Sequence, residues 1–330
     1  MDKQRLSIAM CTYNGAKYLQ EQLDSIAAQT RLPDELVVCD DRSSDSTREI
    51  IKSFGSNVSF PVHLHLNEEN LGVIKNFEKA ISLCTGDIIA LSDQDDFWNP
   101  NKIEKILTAF AENLGAGYIF SNAEFVNESL SPLGSTLWQS IGFEGRLLKE
   151  YREGEQVKVL LKRNMVCGAT LAFRSSLKNL VLPIPPVAFL LHDAWIALVA
   201  SSVGFYGIPL SDSLIYYRQH ALQAVGGKAT FLKRLKIAQN SKDAELYKMY
   251  EQGLLELKNR LLLRQSTFSK DITKEVNLIQ QKAEHFSRRA FLRSSSNFPL
   301  KVKGVVSEIL TGKYHRFSNS WQSVAKDLWF

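Results

Sequence analysis

What most constrains the fold of this chain is how its apolar runs end. Over the first 125 residues, short β-like runs alternate with amphipathic helical stripes, and three of the runs stop at polar clusters, two of them rich in Asp. Leu6 to Cys11 and Leu36 to Cys39 read as buried strands, as do Val62 to Leu66, Ile88 to Ser92 and Tyr118 to Ser121. Between them, Tyr18, Leu19, Leu23, Ile26 and Ala27 share one helical face, and Ile74, Phe77, Ala80, Ile81 and Cys84 another. Asn99 followed by Pro100 predicts the start of a helix running through Phe110. This alternation predicts an α/β fold: a mostly parallel sheet flanked by helices. Ligands on such sheets bind at the carboxyl ends of the strands.

The rest of the chain reads differently. Residues 126–227 are less regular, and Pro183, Pro185 and Pro186 mark a rigid connector. From Thr230 onward the pattern is helical: Leu246, Tyr250, Leu254, Leu257 and Leu261 fall on one face, and Val276, Ile279, Ala283, Phe286 and Ala290 on another. A boundary near Gly226-Gly227 therefore separates a unit of residues 1–227, itself divided near residue 125, from an α-helical appendage of residues 228–330. Charge divides at the same place. Residues 1–227 carry a net −6 and residues 228–330 a net +11, from 20 basic against 9 acidic side chains. A basic tail on an acidic body points to an anionic partner.

The least charged stretch, Ala194 to Ser211, is interrupted by Gly204, Gly207 and Pro209 and is too short to span a bilayer. The first residues lack the apolar segment of a signal peptide. Cys11, Cys39, Cys84 and Cys167 are widely spaced with no CxxC pair, which fits free thiols in a reducing compartment. The expectation is a cytoplasmic protein, soluble or peripheral on the inner face of the plasma membrane.

The strand ends carry the chemistry. The first runs into Thr12-Tyr13-Asn14-Gly15, the second into Asp40-Asp41-Arg42-Ser43-Ser44-Asp45, and the fourth into Asp93-Gln94-Asp95-Asp96. A parallel sheet brings these ends to one rim, where so many carboxylates repel one another unless cations or hydrogen-bond donors intervene. Asp93, Asp95 and Asp96 suit a hard divalent cation, Mg2+ or Mn2+, held by one or two carboxylates plus substrate phosphates. Each cluster alone also fits a capped turn; order and spacing together favour a site.

Those segments resemble the inverting family 2 glycosyltransferases of GT-A fold. The matching pieces are Ser7 to Asn14, Val37 to Thr47, Asn70-Leu71-Gly72 and Gly86 to Asp96, and the resemblance covers roughly residues 5–225. Asp-Gln-Asp-Asp-Phe-Trp at 93–98, His192-Asp193-Ala194-Trp195 and Tyr217-Arg218-Gln219-His220 are similar to the rhamnosyltransferase-type branch. The resemblance implies a hexosyltransferase-type enzyme that moves a sugar from a dTDP- or UDP-sugar to a hydroxyl of a glycan or lipid-linked acceptor, in surface polysaccharide synthesis. Residues 1–125 would then form the nucleotide half and 126–227 the acceptor half.

By the same resemblance, Thr12, Tyr13 and Asn14 line the nucleotide pocket, Asp40 reads the base and Asp41 sits near the ribose. Asp93 belongs to the donor site and Asp95 and Asp96 to the metal. Arg218 lies near the diphosphate, with His220 either a metal ligand or a packing residue. Asp193 matches the catalytic base, preceded by His192 where many members have Glu. His192, Trp195 and Gly168 fall on the acceptor side, although Gly168-Ala169-Thr170 also fits a strand with a small-residue packing contact.

The basic tail has two readings. Phe231, Lys233, Arg234 and Lys236, and later Arg288, Arg289, Phe291 and Arg293, suit a helix lying on anionic lipid. They equally suit a bundle with a solvated basic face, and Trp329-Phe330 suits burial at a dimer or membrane surface. Two rival functions remain. A sugar nucleotidyltransferase would open with a Gly-rich basic loop after strand one, which Thr12 to Ala16 does not provide. A carbohydrate- or nucleic-acid-binding module leaves the acidic rim unexplained, since clustered carboxylates repel a phosphate backbone; no nucleic-acid partner is expected.

Overall fold

The computed structural model describes residues 4–185, 191–220 and 243–329. Strands β1 (Leu6–Thr12), β2 (Glu35–Asp40), β3 (Val62–Leu66) and β4 (Ile88–Ser92) form one half of a sheet and pair in parallel, in the order β3-β2-β1-β4. Strands β2 and β4 are buried along their whole length, as continuous apolar runs at the centre of a parallel sheet must be. β3, with His63 and His65, is a half-exposed edge. Helices α1 (Leu19–Ala27), α2 (Thr47–Gly55) and α3 (Gly72–Leu83) make the connections. The stripes read from the sequence face inward: Leu19, Leu23 and Ile26 from α1, and Phe77, Ala80 and Ile81 from α3, are buried.

The other half of the sheet departs from the all-parallel pattern. β5 (Phe97–Trp98), β6 (Ala116–Val126), β7 (Pro132–Thr136), β8 (Leu171–Arg174) and β9 (Tyr206–Arg218) complete nine strands among the described residues. β8 lies antiparallel between β4 and β6, and β6 runs parallel to β9, with β5 and β7 antiparallel at the margins. β6 extends well beyond the expected Tyr118 to Ser121. Helix α4 (Lys102–Glu112) begins later than Asn99-Pro100 suggests, because Phe97 and Trp98 first pair with β9. Asn99 instead closes the intervening turn, its carbonyl accepting from the Lys102 N–H.

Short helices α5 (Leu137–Ile141), α6 (Gly145–Arg152), α7 (Gln156–Lys162) and α8 (Lys178–Val181) cover the second half, and α9 (His192–Ser202) is buried along its whole length. Beyond it come α10 (Asp243–Leu263), α11 (Thr273–Ser294), α12 (Phe298–Leu310), α13 (Lys313–Phe317) and α14 (Trp321–Trp329). The expected boundary at Gly226-Gly227 lies outside the described residues, as do Pro186, Thr230, Phe231, Lys233, Arg234, Lys236 and the side chains of Trp329 and Phe330. The helices after it share the main core: Leu254, Leu257 and Leu261 of α10 and Ile279, Ala283 and Phe286 of α11 belong to the same buried cluster as the sheet. A smaller cluster of Leu292, Val305, Tyr314 and Val324 holds the last helices together.

The basic face expected on α11 is largely internal. Arg289 grips Asp327 through Nε at 2.6 Å and Nη2 at 3.0 Å, and Arg293 Nε donates to the same carboxylate at 2.7 Å. Of that set only Arg288 and Phe291 face water. A buried carboxylate needs such partners, which is why these arginines turn inward.

Candidate active site

The parallel register sets Thr12 opposite Asp40 and Met10 opposite Ser92, so the acidic strand ends meet beside the carboxyl end of β1. Strand order reverses direction there, since β2 and β4 flank β1 on opposite sides, and an α/β sheet opens a crevice at such a point. A cavity of about 370 Å3 occupies it. Its walls include Cys11, Thr12 and Tyr13 at the end of β1, Gly72, Val73, Asn76 and Phe77 from α3, and Asp93, Gln94 and Asp95 after β4; Gly168, His192, Asp193 and Tyr217 close the far side.

Each loop is held by bonds that the sequence motifs foreshadow. Asn14 adopts φ 47°, a left-handed conformation that Asn tolerates. Its side-chain oxygen accepts from the Ser44 N–H at 2.8 Å and its own N–H donates to Ser43 Oγ, stitching the β1 and β2 loops together. Asp40 is fully buried and committed to Thr12 Oγ1, Ser43 and Arg48, so it braces this junction and is not part of the cavity wall. Asp41 does reach the wall while capping α3: its carboxylate accepts from the Leu71 and Gly72 N–H groups at 2.7 and 2.9 Å and from Asn67 Nδ2 at 2.8 Å. A carboxylate at a helix N-terminus is favoured by the helix dipole, which accounts for Asn70-Leu71-Gly72.

The turn after β4 separates its carboxylates. Asp93 and Asp95 face the cavity, and withdrawal from water, reinforced by Asp95 and Asp193, pushes the Asp93 carboxyl up to about 7. Asp96 points inward. Burial first, then Asp95 and Asp93, hold its carboxyl well above the usual carboxylate range, and its Oδ2 has no hydrogen-bond partner among the described residues. Nearby Lys102 is fully buried, donates to the Ala169 carbonyl at 2.8 Å, and is pushed down to about 7 by that burial. Asp95 Oδ2 lies 2.8 Å from His220 Nε2. Arg218, fully buried, binds the Asp95 carbonyl at 2.9 Å and Glu21 at 2.6 Å, and also reaches the Glu128 carbonyl; it buttresses the turn from outside the cavity wall.

Asp93, Asp95 and His220 thus offer oxygen and imidazole donors of the type a divalent ion takes, while Asp96 is turned away from them. Among the described residues no three His, Cys, Asp or Glu side chains form a metal cage by themselves.

Across the cavity, Asp193 sits in the first turn of α9. One carboxylate oxygen accepts from the Gly168 N–H at 2.9 Å; the other accepts from the Ala194 N–H at 2.6 Å and Asn164 Nδ2 at 3.4 Å. His192 beside it is buried and stacked on Phe77 with centroids 4.0 Å apart, and neither ring nitrogen has a partner among the described residues. Burial lowers its affinity for a proton, so the imidazole is neutral near pH 7. A methyl group on Gly168 would meet its Nε2 at 2.6 Å, so glycine is what lets the ring sit there. Trp195 does not join this group. About 200° around the helix from Asp193, it is fully buried, donates Nε1 to the Val181 carbonyl at 2.7 Å, and packs under Arg260; it is a core residue.

Sequence reasoning missed Gln94, Phe77 and Tyr217. Gln94 clasps the first loop, accepting from the Tyr13 N–H at 2.8 Å and donating to the Tyr13 carbonyl at 3.1 Å. A side chain at Gly15 would strike Gln94 Oε1 at 2.2 Å, so Asn14-Gly15 and Gln94 form one unit.

A half-parallel, half-mixed sheet with a carboxylate-lined crevice at its switch point defines a GT-A-like fold class. Residues 7–180 match the family described as Glycosyl transferase family 2, and the chain belongs to that family. The Escherichia coli protein named UDP-Glc:alpha-D-GlcNAc-diphosphoundecaprenol beta-1,3-glucosyltransferase WfgD is 32% identical over 129 residues, covering 39% of this chain and 49% of its own. S. aureus TarS 1–349 in complex with UDP-GlcNAc superposes with a TM-score of 0.54 at 20% identity, covering 98% of this chain and 88% of its own. The mannosyltransferase PcManGT from Pyrobaculum calidifontis, in complex with GDP-Man and Mn2+, gives 0.52 at 16% identity, covering 98% and 86%. At these identities the two structures are similar in fold alone. The match with the first curated relatives covers 59% of their length.

Proposed function

We propose that this protein is an inverting glycosyltransferase that moves a sugar from a nucleoside-diphosphate sugar to an acceptor hydroxyl, with Asp193 as the general base. The observation that carries this reading is the placement of Asp193 on a rigid helix end, across one cavity from the Asp93–Asp95 turn. Its carboxylate takes the proton as the acceptor oxygen attacks the anomeric carbon from the face opposite the diphosphate. The bond from that carbon to the diphosphate oxygen breaks, and the nucleoside diphosphate leaves with the electron pair. Inversion needs one such base and no protein nucleophile.

Thr12, Tyr13 and Asp41 would hold the nucleoside, with Asn14 and Asp40 fixing the loops around it. Asp95 and His220, with Asp93 beside them, would hold Mn2+ or Mg2+ against the donor diphosphate; such an ion stabilises charge on the departing phosphate. His192 and Gly168 would meet the acceptor. A UDP-sugar donor is supported by the UDP-Glc and UDP-GlcNAc named for the Escherichia coli relative and for TarS, and a lipid-linked acceptor by the diphosphoundecaprenol in the Escherichia coli name; a dTDP donor rests on the rhamnosyltransferase-type resemblance alone. Rhamnose as the sugar, and a cytoplasmic step in surface polysaccharide synthesis, rest on the Asp93-to-Trp98 and His192-to-Trp195 wording.

Asp193→Asn tests the assignment. Turnover at saturating donor should fall by about a hundredfold or more, the usual contribution of general-base catalysis, while donor affinity measured by calorimetry stays the same. Near-normal turnover in this variant would place the base elsewhere.

A further inference from the structure

Helix α12 faces the wrong way for an ordinary surface helix. Val305 and Glu308 turn inward, and Glu308 bonds His285 Nδ1 at 2.5 Å. The opposite side carries Phe298, Val302, Val306 and Leu310, spaced four apart and 56%, 37%, 46% and 81% exposed. Among the described residues this stripe is open to solvent. A helix at a water boundary normally puts its charges there, and isolated apolar residues are common, but a contiguous stripe marks a surface that meets something apolar.

The charge around the stripe says what that is. From Ser295 to Leu328 the only acidic residues are Glu308 and Asp327; both are buried and committed, the first to His285 and the second to Arg289, Arg293 and Tyr314. The exposed Lys, Arg, Asp and Glu side chains of this segment are therefore all positive: Lys303, Arg316 and Lys326. Apolar side chains set among cations, with both acids of the segment withdrawn and the neighbouring Glu284 of α11 paired with Lys313, match an interface whose outer layer is negative and whose inner layer is apolar. A second copy of the chain fits less well, because a two-fold contact across α12 would bring Lys303 toward its own symmetry mate.

We infer that α12 is a membrane-contact helix, seating the Phe298-to-Leu310 stripe in an anionic lipid surface. This moves the lipid-binding element away from α11, whose arginines are spent internally, and it does not depend on the reaction assigned to the cavity.

The test uses the full chain in vesicle flotation. Vesicles of phosphatidylcholine mixed with phosphatidylglycerol should carry the protein, and those of phosphatidylcholine alone should carry far less, with binding falling as salt rises. Val306→Asp combined with Leu310→Asp, both at exposed positions, should weaken partitioning by about tenfold or more at an unchanged melting temperature. Lys303→Glu with Lys326→Glu, which leaves the stripe intact, should abolish the preference for anionic vesicles. Equal flotation with both lipids, or binding indifferent to the aspartate pair, overturns the proposal. So does a dimer in sedimentation that the aspartate pair dissociates while no vesicle binding is seen, since the stripe would then belong to a second copy.

Discussion

At the scale of single residues, His192 and Asp193 are neighbours in the chain but have opposite environments. Each Asp193 carboxylate oxygen accepts from a backbone N–H, whereas His192 has two buried nitrogens and no bond to either among the described residues. An unbonded buried polar atom costs about 1–3 kcal/mol, so an imidazole kept only for packing would be a poor choice beside Phe77. His192→Phe should therefore hold or raise the melting temperature while lowering kcat/KM for the acceptor, with donor affinity unchanged. If kcat/KM survives, the ring only packs. Asp193→Asn carries a related complication. Asn offers one acceptor oxygen where the carboxylate serves both Gly168 and Ala194, so some stability loss should accompany the loss of turnover.

At the scale of elements, the sequence made the parallel half readable because its strands are short, apolar except for the His-bearing edge strand β3, and followed at once by polar residues. It was far less informative about the second half. β8 is four residues of Leu-Ala-Phe-Arg, and its placement between β4 and β6 depends on partners some fifty to eighty residues earlier. The site divides the same way. Asp93, Asp95 and Asp193 stood out through local wording, whereas the Gln94 clasp and the Arg218 buttress rest on contacts 81 and more residues apart that leave no periodic trace. The helical tail adds an element-level expectation. His285 of α11 is buried between Glu308 and Ser318 Oγ, and burial, outweighing the pull of Glu308, lowers its proton affinity below the ordinary 6.5. Unfolded chains then bind the proton more readily. The stability His285 contributes is present above about pH 6.5 and is lost as pH falls through its depressed folded value. Denaturant titrations across that window should show α10–α14 weakening with acid, and His285→Gln should flatten the slope.

At the scale of the whole molecule, the cavity draws its walls from both halves of the sheet and from α9, so a ligand that fills it ties them together. A nucleotide present at a hundredfold excess over its Kd adds about 2.7 kcal/mol to the folded state. UDP or dTDP with Mn2+ should raise the melting temperature by several degrees, and Asp95→Ala should remove the part that depends on metal. An equal metal-dependent rise in that variant would remove Asp95 from the metal site. Time enters through the position of β8. Both of its neighbours, β4 and β6, leave the ribosome before it does, and until residues 171–174 arrive each presents an unpaired edge. Gly168, which immediately precedes that strand, and Asp193 and Tyr217, which follow it, line the cavity with Asp93 and Asp95. Exchange measured on ribosome-bound nascent chains stalled before β8 emerges should already show protection at Ile8 to Met10. The half that would hold the nucleotide is thus the older part of each newly made molecule, and the half that would present the acceptor closes over it last.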